Sequence, residues 1–380
     1  MNNEYTSLRS AAYVLEERKL RENLELIQRV QSEAGVFIIL ALKGFAMWSV
    51  FPMVKRYLSG ATASSLHEAR LIFEEMGCKA HTYAVAYMPD EFDEIMGYSS
   101  HITFNSIAQY KRYAAAVESY PEKISPGIRV NPEYSEVEVA LYNPCAPGSR
   151  LGEVSDAFYA GLPEGVEGLH FHTLCESSSY DLEKVLAAFE ERFGRFLPQL
   201  KWVNFGGGHL MTRKGYDTEH LIALLRAFRA RHPHLEVILE PGSAIAWETG
   251  VLVAHVLDIV ENKGIQTAIL DVSFTAHMPD TLEMPYRPRI RGAADRTPGK
   301  PTYRMGGVSC LSGDYMLEYS FENPLQPGDQ IILEDMIHYT MVKTTTFNGV
   351  RHPDICILRE TGEIETVKRF SYEDYRNRLS

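Results

Sequence analysis

Cysteine is scarce in this chain of 380 residues, and no apolar run is long enough to cross a membrane. The five cysteines are odd in number and lack paired metal-ligand spacing, so they indicate free thiols in a reducing compartment. The first ten residues lack the apolar core of a signal peptide, and we therefore expect a cytoplasmic protein without a membrane contact. Positive charge is also in short supply. The formal net charge of −12 argues against a nucleic-acid partner and suits a cationic small substrate.

The pattern of apolar residues predicts an α/β protein with two parts. Short apolar runs alternate with amphipathic stretches in the first part, which predicts a closed (β/α)₈ barrel with a parallel sheet. After about residue 260, Pro and Gly recur between short alternating runs, which predicts an antiparallel β domain. We expect a lead-in segment whose strand near Ala12 joins the β domain (1–34), a barrel (35–262) and a C-terminal β domain (263–380). The predicted barrel strands are 36–42, 81–86, 101–104, 127–130, 168–172, 202–205 and 236–239.

Lys43 is the most informative residue, because it ends the apolar run 36–42 and Gly44 follows it at once. Barrel enzymes carry their chemistry at the carboxyl ends of their strands. Dehydration there lowers the pKa of an amine and makes it a usable nucleophile, as a Schiff base with a carbonyl cofactor requires. Lys43 by itself could equally be a strand-ending cation that reaches into solvent.

Two further strand ends predict contacts with an anionic aromatic ligand. Gly206, Gly207 and Gly208 follow the strand 202–205, and N–H groups without a neighbouring Cβ can approach a phosphate closely; a flexible turn is the alternative. Glu240 ends the strand 236–239 and needs a partner, either a protonated pyridine nitrogen or a neighbouring loop. Ser243 follows closely and could extend the phosphate site.

The remaining candidates are ambiguous on their own. His170 and His172 alternate along one strand near Cys175, but no second cluster has ligand spacing, so we expect no metal. The flat imidazole of His172 could instead stack on an aromatic cofactor. Cys310 lies among small residues and resembles an ordinary buried thiol, whereas the hydroxyl of Tyr339 could reach an anion.

In this order along the chain, these residues resemble the fold-type III pyridoxal-phosphate decarboxylases. This alanine-racemase-like group includes ornithine and diaminopimelate decarboxylases. Within it the chain is similar to the carboxynorspermidine/carboxyspermidine decarboxylases, and the likeness covers nearly the whole sequence. The stretches that carry this closer likeness are 41–46, 60–69, 171–176 and 276–280.

The resemblance implies pyridoxal 5′-phosphate as cofactor and a homodimer with shared active sites. Lys43 would bind the cofactor covalently, His172 would stack on its ring, and Glu240 would pair with its pyridine nitrogen. Cys310 would enter the partner subunit's site and return a proton to the substrate carbon. The implied reaction converts carboxynorspermidine or carboxyspermidine to norspermidine or spermidine and CO₂, in polyamine biosynthesis. The implied phosphate ligands are Gly207, Gly208, Ser243 and Tyr339.

Three departures from related enzymes bear on the substrate. Ornithine and diaminopimelate decarboxylases usually carry Arg at the position of Ser243, and the ornithine enzyme has Asp where Leu311 follows Cys310. Diaminopimelate decarboxylases usually bind the distal carboxylate with an Arg in the region of Glu283. These differences favour a substrate whose far end is an amine. The carboxylates that we expect to bind it are Glu248, Asp271, Asp280 and Glu283.

Three alternatives share parts of this pattern. A diaminopimelate-type decarboxylase would use the same fold and cofactor, but it would need the distal-carboxylate Arg. A non-catalytic carrier of the cofactor on the same barrel would generally lack the β domain. A barrel enzyme that binds a phosphate ligand without a cofactor would leave Lys43 unmodified.

Overall fold

The computed structural model describes residues 4–139, 142–283 and 286–380. Contacts divide the chain into two compact units, one formed by residues 23–245 and the other by residues up to 22 together with 246–380. Strand β1 (Ala12–Glu16) belongs to the second unit, and helix α1 (Glu17–Ala34) leads from it into the first. The domain boundaries expected from the sequence, 1–34, 35–262 and 263–380, remain a prediction. No helix in the described ranges has the length and apolar character of a membrane span.

The first unit is a parallel barrel. Its strand segments are β2 (Phe37–Ile38), β3 (Leu40–Ala41), β4 (Ala61–Ala63), β5 (Ala80–Tyr83), β6 (Ser99–Phe104), β7 (Ser125–Arg129), β8 (Gly168–His170), β9 (Trp202–Asn204) and β10 (Glu236–Leu239). Segments β2 and β3 are two halves of one interrupted strand, and β2 pairs with β10 while β3 pairs with β4. The sheet therefore closes on itself, which confirms the predicted barrel. Only β4 is missing from the predicted set, because Ala-Thr-Ala is too short and too weakly apolar to stand out.

Among the described residues, seven helices accompany these strands: α2 (Phe51–Val54), α3 (Leu66–Leu71), α4 (Phe92–Tyr98), α5 (Ile107–Ser119), α6 (Ser179–Phe193), α7 (Thr218–Arg231) and α8 (Ser243–Ala246). Short 3₁₀ segments cover Trp48–Val50, Ser155–Phe158 and Gly194–Gln199, and a π turn, Ile72–Met76, continues α3. Side-chain caps start several helices, since Ser65, Ser106, Ser178 and Asp217 each accept an N–H from the first turn. Gly77 ends the π turn at φ 68°, as its C-cap position in the sequence predicts.

A large aromatic side chain fills the barrel at the start of its strands. The ring of Trp202 lies against two glycines, and a Cβ on either Gly127 or Gly168 would overlap it. The indole N–H donates to the Ser125 hydroxyl at 2.8 Å, and the ring of His101 packs edge-on at 5.5 Å. The glycines are therefore required by packing, because any side chain would displace the indole.

The second unit is a β domain with strands β11 (Gly250–Asn262), β12 (Ile265–Leu270), β13 (Ala293–Ala294), β14 (Thr302–Gly306), β15 (Tyr315–Phe321), β16 (Gln330–Glu334), β17 (Asp354–Leu358) and β18 (Ile364–Lys368). Strand β1 lies between β11 and β17 and pairs with both of them. Pairing is mostly antiparallel as predicted, but β1–β17 and β12–β14 are parallel. The helices are α9 (Phe274–His277), α10 (Asp280–Glu283) and α11 (Tyr372–Arg376), with a 3₁₀ turn at Phe347–Gly349.

Gly168→Ala should lower the free energy of unfolding by about 1–3 kcal/mol, because the added methyl group overpacks the barrel against Trp202. Urea unfolding followed by circular dichroism measures the change. Gly194→Ala is the matched control, since its Cβ would meet nothing closer than the Glu190 Cβ at 4.0 Å. The control should change stability by no more than about 0.5 kcal/mol. Equal losses of unfolding free energy in the two variants would contradict the proposed packing of Trp202 against the glycines.

Candidate active site

Lys43 lies just beyond β3, where the interrupted strand closes the barrel. The Ala41 N–H donates to the Pro241 carbonyl at 3.1 Å, and the Leu42 N–H donates to the opposite neighbour, Thr62, at 3.3 Å. A Cβ on Gly44 would come within 2.7 Å of the Gly242 Cα, so the two loops meet backbone to backbone. The chain thus holds Lys43 beside the loop that follows β10.

The protonation equilibrium of the Lys43 amine is shifted toward the neutral form. The side chain keeps contact with solvent, yet protein atoms crowd the amine, and this dehydration lowers its pKa. The positive charge of Arg129 lowers the pKa further, while Glu240 and Glu68 act in the opposite direction. A lysine in this environment carries a larger neutral fraction and is a better nucleophile.

His172 is fixed by the glycine loop after β9. The Gly207 N–H donates to the Nδ1 atom of His172 at 2.7 Å, so the ring proton of the neutral imidazole is on Nε2. Burial, followed by the charges of Lys43 and Arg129, lowers the pKa of His172 well below its ordinary value. His172 is therefore a neutral, oriented ring, as stacking on a flat ligand requires.

The glycine loop is shaped by close backbone approaches. Gly206 and Gly208 have φ angles of 68° and 89°, which favour glycine. The Gly207 N–H donates to His172, and the phosphate contact expected of Gly207 remains a prediction. The Gly208 N–H donates to no other atom in the described part of the chain. The phosphate contact expected of Gly208 also remains a prediction.

Glu240 lies beyond β10 and is almost fully buried, with 9% of its surface exposed. Asn204 donates to its Oε1 atom at 2.6 Å, and the Nε2 atom of His170 lies 3.5 Å from Oε2. Burial alone would raise the pKa of Glu240, but His170 and Asn204 outweigh it, so the pKa lies below its usual range. Glu240 is therefore a buried carboxylate that stays ionised, suited to a protonated ring nitrogen.

Two residues of this site were missed in the sequence. Asn204 bridges the site, since its Oδ1 accepts the Gly206 N–H at 2.8 Å while its amide holds Glu240. Arg129 ends β7 with only 4% exposure, donates to the His172 carbonyl at 3.1 Å and lies 4.8 Å from the centroid of the Tyr83 ring. The rule that selected Lys43, a polar residue at a strand end, would also have selected both.

In the β domain, Cys310 lies in the loop between β14 and β15. Cys310 is exposed, and its N–H donates to the Asn348 side chain at 2.8 Å. The neighbouring Ser309 donates to the buried Asp314 carboxylate through its N–H at 3.1 Å and its hydroxyl at 2.6 Å. Asp314 also accepts the Thr275 N–H at the start of α9. Cys310 is therefore not the small buried thiol that its sequence context allowed.

The four candidate carboxylates differ in their partners. Asp271 is paired with His255, which contacts both of its oxygens at 2.7 and 3.0 Å. Glu248 pairs with Arg289 at 2.6 Å, and Glu283 pairs with Lys343. These pairs are exposed or half-buried and of the kind that contributes little to stability.

Asp280 alone among the four has no cationic partner in the described ranges. Its Oδ2 accepts the Thr340 hydroxyl at 2.8 Å, and the Tyr286 hydroxyl lies 3.4 Å away. Its Oδ1 is buried without a hydrogen-bond partner among the described residues. An unpaired carboxylate oxygen is costly to bury, which makes Asp280 the strongest candidate for a cationic ligand.

Ser243 and Tyr339 remain predictions as phosphate ligands. Ser243 is the first residue of α8, after the Gly242 contact, and it is half-buried. Tyr339 is half-buried in the β domain beside His338, with which its ring makes an edge-on contact at 6.3 Å. No group of three or more His, Cys, Asp or Glu side chains suited to a metal ion is found within the described ranges.

Comparisons with known proteins identify the family. The family described as "Pyridoxal-dependent decarboxylase, C-terminal sheet domain" matches residues 12–337. The chain is 53% identical to a carboxyaminopropylagmatine decarboxylase of Synechocystis sp., with 100% of this chain and 97% of the relative covered. The chain belongs to the pyridoxal-dependent decarboxylases. This membership confirms the resemblance, the enzyme class and the cofactor expected from the sequence.

Two further comparisons concern Campylobacter jejuni. A carboxynorspermidine/carboxyspermidine decarboxylase from that organism is 46% identical to this decarboxylase, over 98% of each chain. The crystal structure of a carboxynorspermidine decarboxylase complexed with norspermidine has a TM-score of 0.91 and 44% identity, with coverage of 98% and 100%. Full-length likeness of this kind to decarboxylases argues against a non-catalytic carrier.

The residues of the barrel fit pyridoxal phosphate. A nucleophilic Lys43, an oriented neutral ring at His172 and an ionised buried carboxylate at Glu240 are the three groups that an aldehyde-bearing pyridinium needs. The Gly206–Gly208 loop has no side chains to block a phosphate, and the Gly208 N–H is free to bind one.

Lys43→Ala should abolish activity and the borohydride-stable attachment of pyridoxal phosphate, because Lys43 is the lysine whose charge reaches His172 and Glu240 among the described residues. Mass spectrometry of peptides after borohydride reduction measures the attachment, and Lys55→Ala is the control that should retain it. In the cofactor-free protein, amine labelling of Lys43 should persist to lower pH than that of a free lysine amine, since the pKa of Lys43 is lowered. Attachment at another lysine in Lys43→Ala would overturn the assignment.

Proposed function

We propose that this decarboxylase acts on carboxynorspermidine or carboxyspermidine and releases CO₂ together with norspermidine or spermidine, a step of polyamine biosynthesis. The observation that carries the proposal is the full-length likeness to the Campylobacter jejuni enzyme that was solved with norspermidine. The absence of the distal-carboxylate Arg expected of a diaminopimelate decarboxylase, with Glu283 in that region, supports a cationic far end.

A second candidate substrate is carboxyaminopropylagmatine, and the Synechocystis relative favours it. This molecule shares the carboxylated aminopropyl end but ends in a guanidinium group instead of an ammonium group. A guanidinium group is planar and prefers two parallel hydrogen bonds to one carboxylate. The two candidates therefore differ only in what the far end of the site must bind.

Pyridoxal phosphate, when bound, accepts the electron pair left behind as CO₂ departs. Lys43 would hold the cofactor through its neutral amine, and Glu240 would keep the ring nitrogen protonated by staying ionised. His172, oriented by Gly207, would support the face of the ring. Cys310 would return a proton to the substrate carbon. The phosphate would be held by Gly208, Ser243 and Tyr339, with Gly207 acting through His172.

Asp280 is proposed as the main contact for the substrate's positive charge. Its unpaired buried oxygen would gain a charge-assisted hydrogen bond from an ammonium group. Asp271, Glu248 and Glu283 already have cationic partners, so any role in binding would require them to exchange those partners.

A homodimer is proposed as the working assembly, in which Cys310 of each chain serves the partner's site. The support is an exposed apolar group around the Cys310 loop, formed by Val308, Leu311, Tyr315 and Phe347. Exposed apolar groups of this kind mark interaction surfaces. All five cysteines are free thiols, which supports our proposal that the enzyme is located in the reducing cytoplasm.

Assays of the purified enzyme on carboxyspermidine, carboxynorspermidine, carboxyaminopropylagmatine and diaminopimelate test the substrate proposal. We expect kcat/KM for the preferred carboxypolyamine to exceed that for diaminopimelate by at least about a hundredfold, because the latter's distal carboxylate would meet acids. Preference for carboxyaminopropylagmatine would select the second candidate. Efficient turnover of diaminopimelate would contradict both.

Asp280→Asn should raise KM for the preferred substrate by about tenfold or more, since removing one partner of a charged pair typically costs about 2–5 kcal/mol. The visible absorption of the bound cofactor should not change. Glu283→Gln is the matched control, and loss of its exposed pair with Lys343 should alter KM by less than about threefold. An unchanged KM in Asp280→Asn would remove this residue from the substrate site.

Mixing inactive Lys43→Ala chains with an equal amount of slow Cys310→Ala chains should give about a quarter of wild-type activity under random exchange, because half of the dimers are mixed and each has one intact site. Subunit exchange is verified by native mass spectrometry with one chain isotopically labelled. Proven exchange without recovered activity would contradict shared sites.

A further inference from the structure

The loop that carries Cys310 is held by hydrogen bonds on both sides of the cysteine. Before the cysteine, Asp314 accepts from Ser309, and after it the Asp314 N–H donates to the Leu311 carbonyl at 3.0 Å. The Cys310 N–H itself has a different acceptor, the Oδ1 atom of Asn348 at 2.8 Å. This one bond joins the Cys310 loop to the segment between β16 and β17.

The backbone of Asn348 suits this task. Its φ of 58° and ψ of 8° lie in the left-handed region, which asparagine and glycine tolerate better than other residues. Gly349 follows with φ 64°. Consecutive left-handed residues turn the chain sharply and place the Asn348 side chain next to the Cys310 amide. Most other residue types would be strained in this backbone conformation.

Two contacts hold the Asn348 turn in place. The Thr345 N–H donates to the Ala276 carbonyl in α9 at 2.8 Å. On the other side, Gly349 lies against the ring of Tyr375 in α11, since an added Cβ would come within 3.2 Å of that ring. In α9, the Thr275 N–H also donates to Asp314. Both acceptors of the Cys310 loop, Asp314 and Asn348, are therefore held in place by contacts with α9.

We propose that Asn348 is a positioning residue for Cys310, which sets the direction of the thiol by fixing the peptide bond before it. The inference rests on the proposed role of Cys310 as proton donor to the substrate carbon. An N–H that is held in one direction fixes the peptide plane and the position of the Cys310 Cα atom, which limits where the thiol can reach. A proton donor must lie within hydrogen-bond reach of the accepting carbon, so a freely moving loop would slow the transfer.

Two substitutions separate the hydrogen bond from the backbone conformation. Asn348→Gly removes the acceptor and keeps the left-handed turn, whereas Asn348→Asp keeps an acceptor oxygen and tolerates the same turn. We expect Asn348→Gly to lower kcat by about tenfold or more and to leave KM within about twofold of wild type. The substitution misplaces the thiol but does not change the groups that bind the substrate. Asn348→Asp should stay within about threefold of the wild-type kcat, since the acceptor remains.

A readout independent of turnover is hydrogen–deuterium exchange of the peptide that spans the Cys310 loop. Exchange should become several-fold faster in Asn348→Gly, because the Cys310 N–H loses its acceptor, and should stay near the wild-type rate in Asn348→Asp. The double variant Asn348→Gly with Cys310→Ala should be no slower than Cys310→Ala alone, since a positioning residue has no effect once its target is absent.

The outcomes distinguish this inference from the function on which it rests. If Cys310→Ala slows turnover but Asn348→Gly leaves both kcat and exchange unchanged, the positioning role is overturned and the role of Cys310 stands. If Cys310→Ala turns over normally, the proton-donor role falls and the inference falls with it. Additive losses in the double variant would also overturn the inference, because they would show that Asn348 acts independently of Cys310.

Discussion

The candidate site of the barrel depends on the closure of the interrupted first strand. Residues 39–42 donate alternately to the last strand with its following loop and to β4, and this alternation is what makes the sheet a ring. Closure presses Gly44 against Gly242, a contact that only glycine permits at such short range. An open sheet would leave Lys43 and Glu240 at opposite edges, with neither able to affect the other's charge.

Closure also explains the balance of charges in the barrel. Lys43, Arg129 and Glu240 lie near enough for their charges to interact. His172 remains neutral mainly because it is buried, and the charges of Lys43 and Arg129 lower its pKa further. Glu240 stays ionised because Asn204 and His170 face it. The barrel therefore contributes a lysine of lowered pKa, the cation of Arg129, one ionised carboxylate and a neutral ring, a set that suits a ligand with an aldehyde, an anionic group and a protonated ring nitrogen.

The β domain handles charge differently. Three of the four acids expected to meet a cationic substrate satisfy neighbours on the same domain, as with Asp271 and His255. Asp280 differs because hydroxyl groups, which are neutral, hold only one of its oxygens. Composition showed an excess of acid in the chain, but an excess of acid says nothing about which carboxylate lacks a partner.

Sequence alone determined the order of barrel and β domain, seven of the eight barrel strands, and the strand-end positions of Lys43, His172 and Glu240. These are local matters, since hydrophobic period and strand length are written in adjacent residues. Tertiary structure decided the rest: that the Gly207 N–H belongs to His172, that Arg129 and Asn204 join the site, and that Cys310 depends on Asn348. The partners in these contacts are 35 to 43 residues apart along the chain. Only the folded backbone brings such distant residues together, because nothing in the neighbouring sequence of either partner specifies the other.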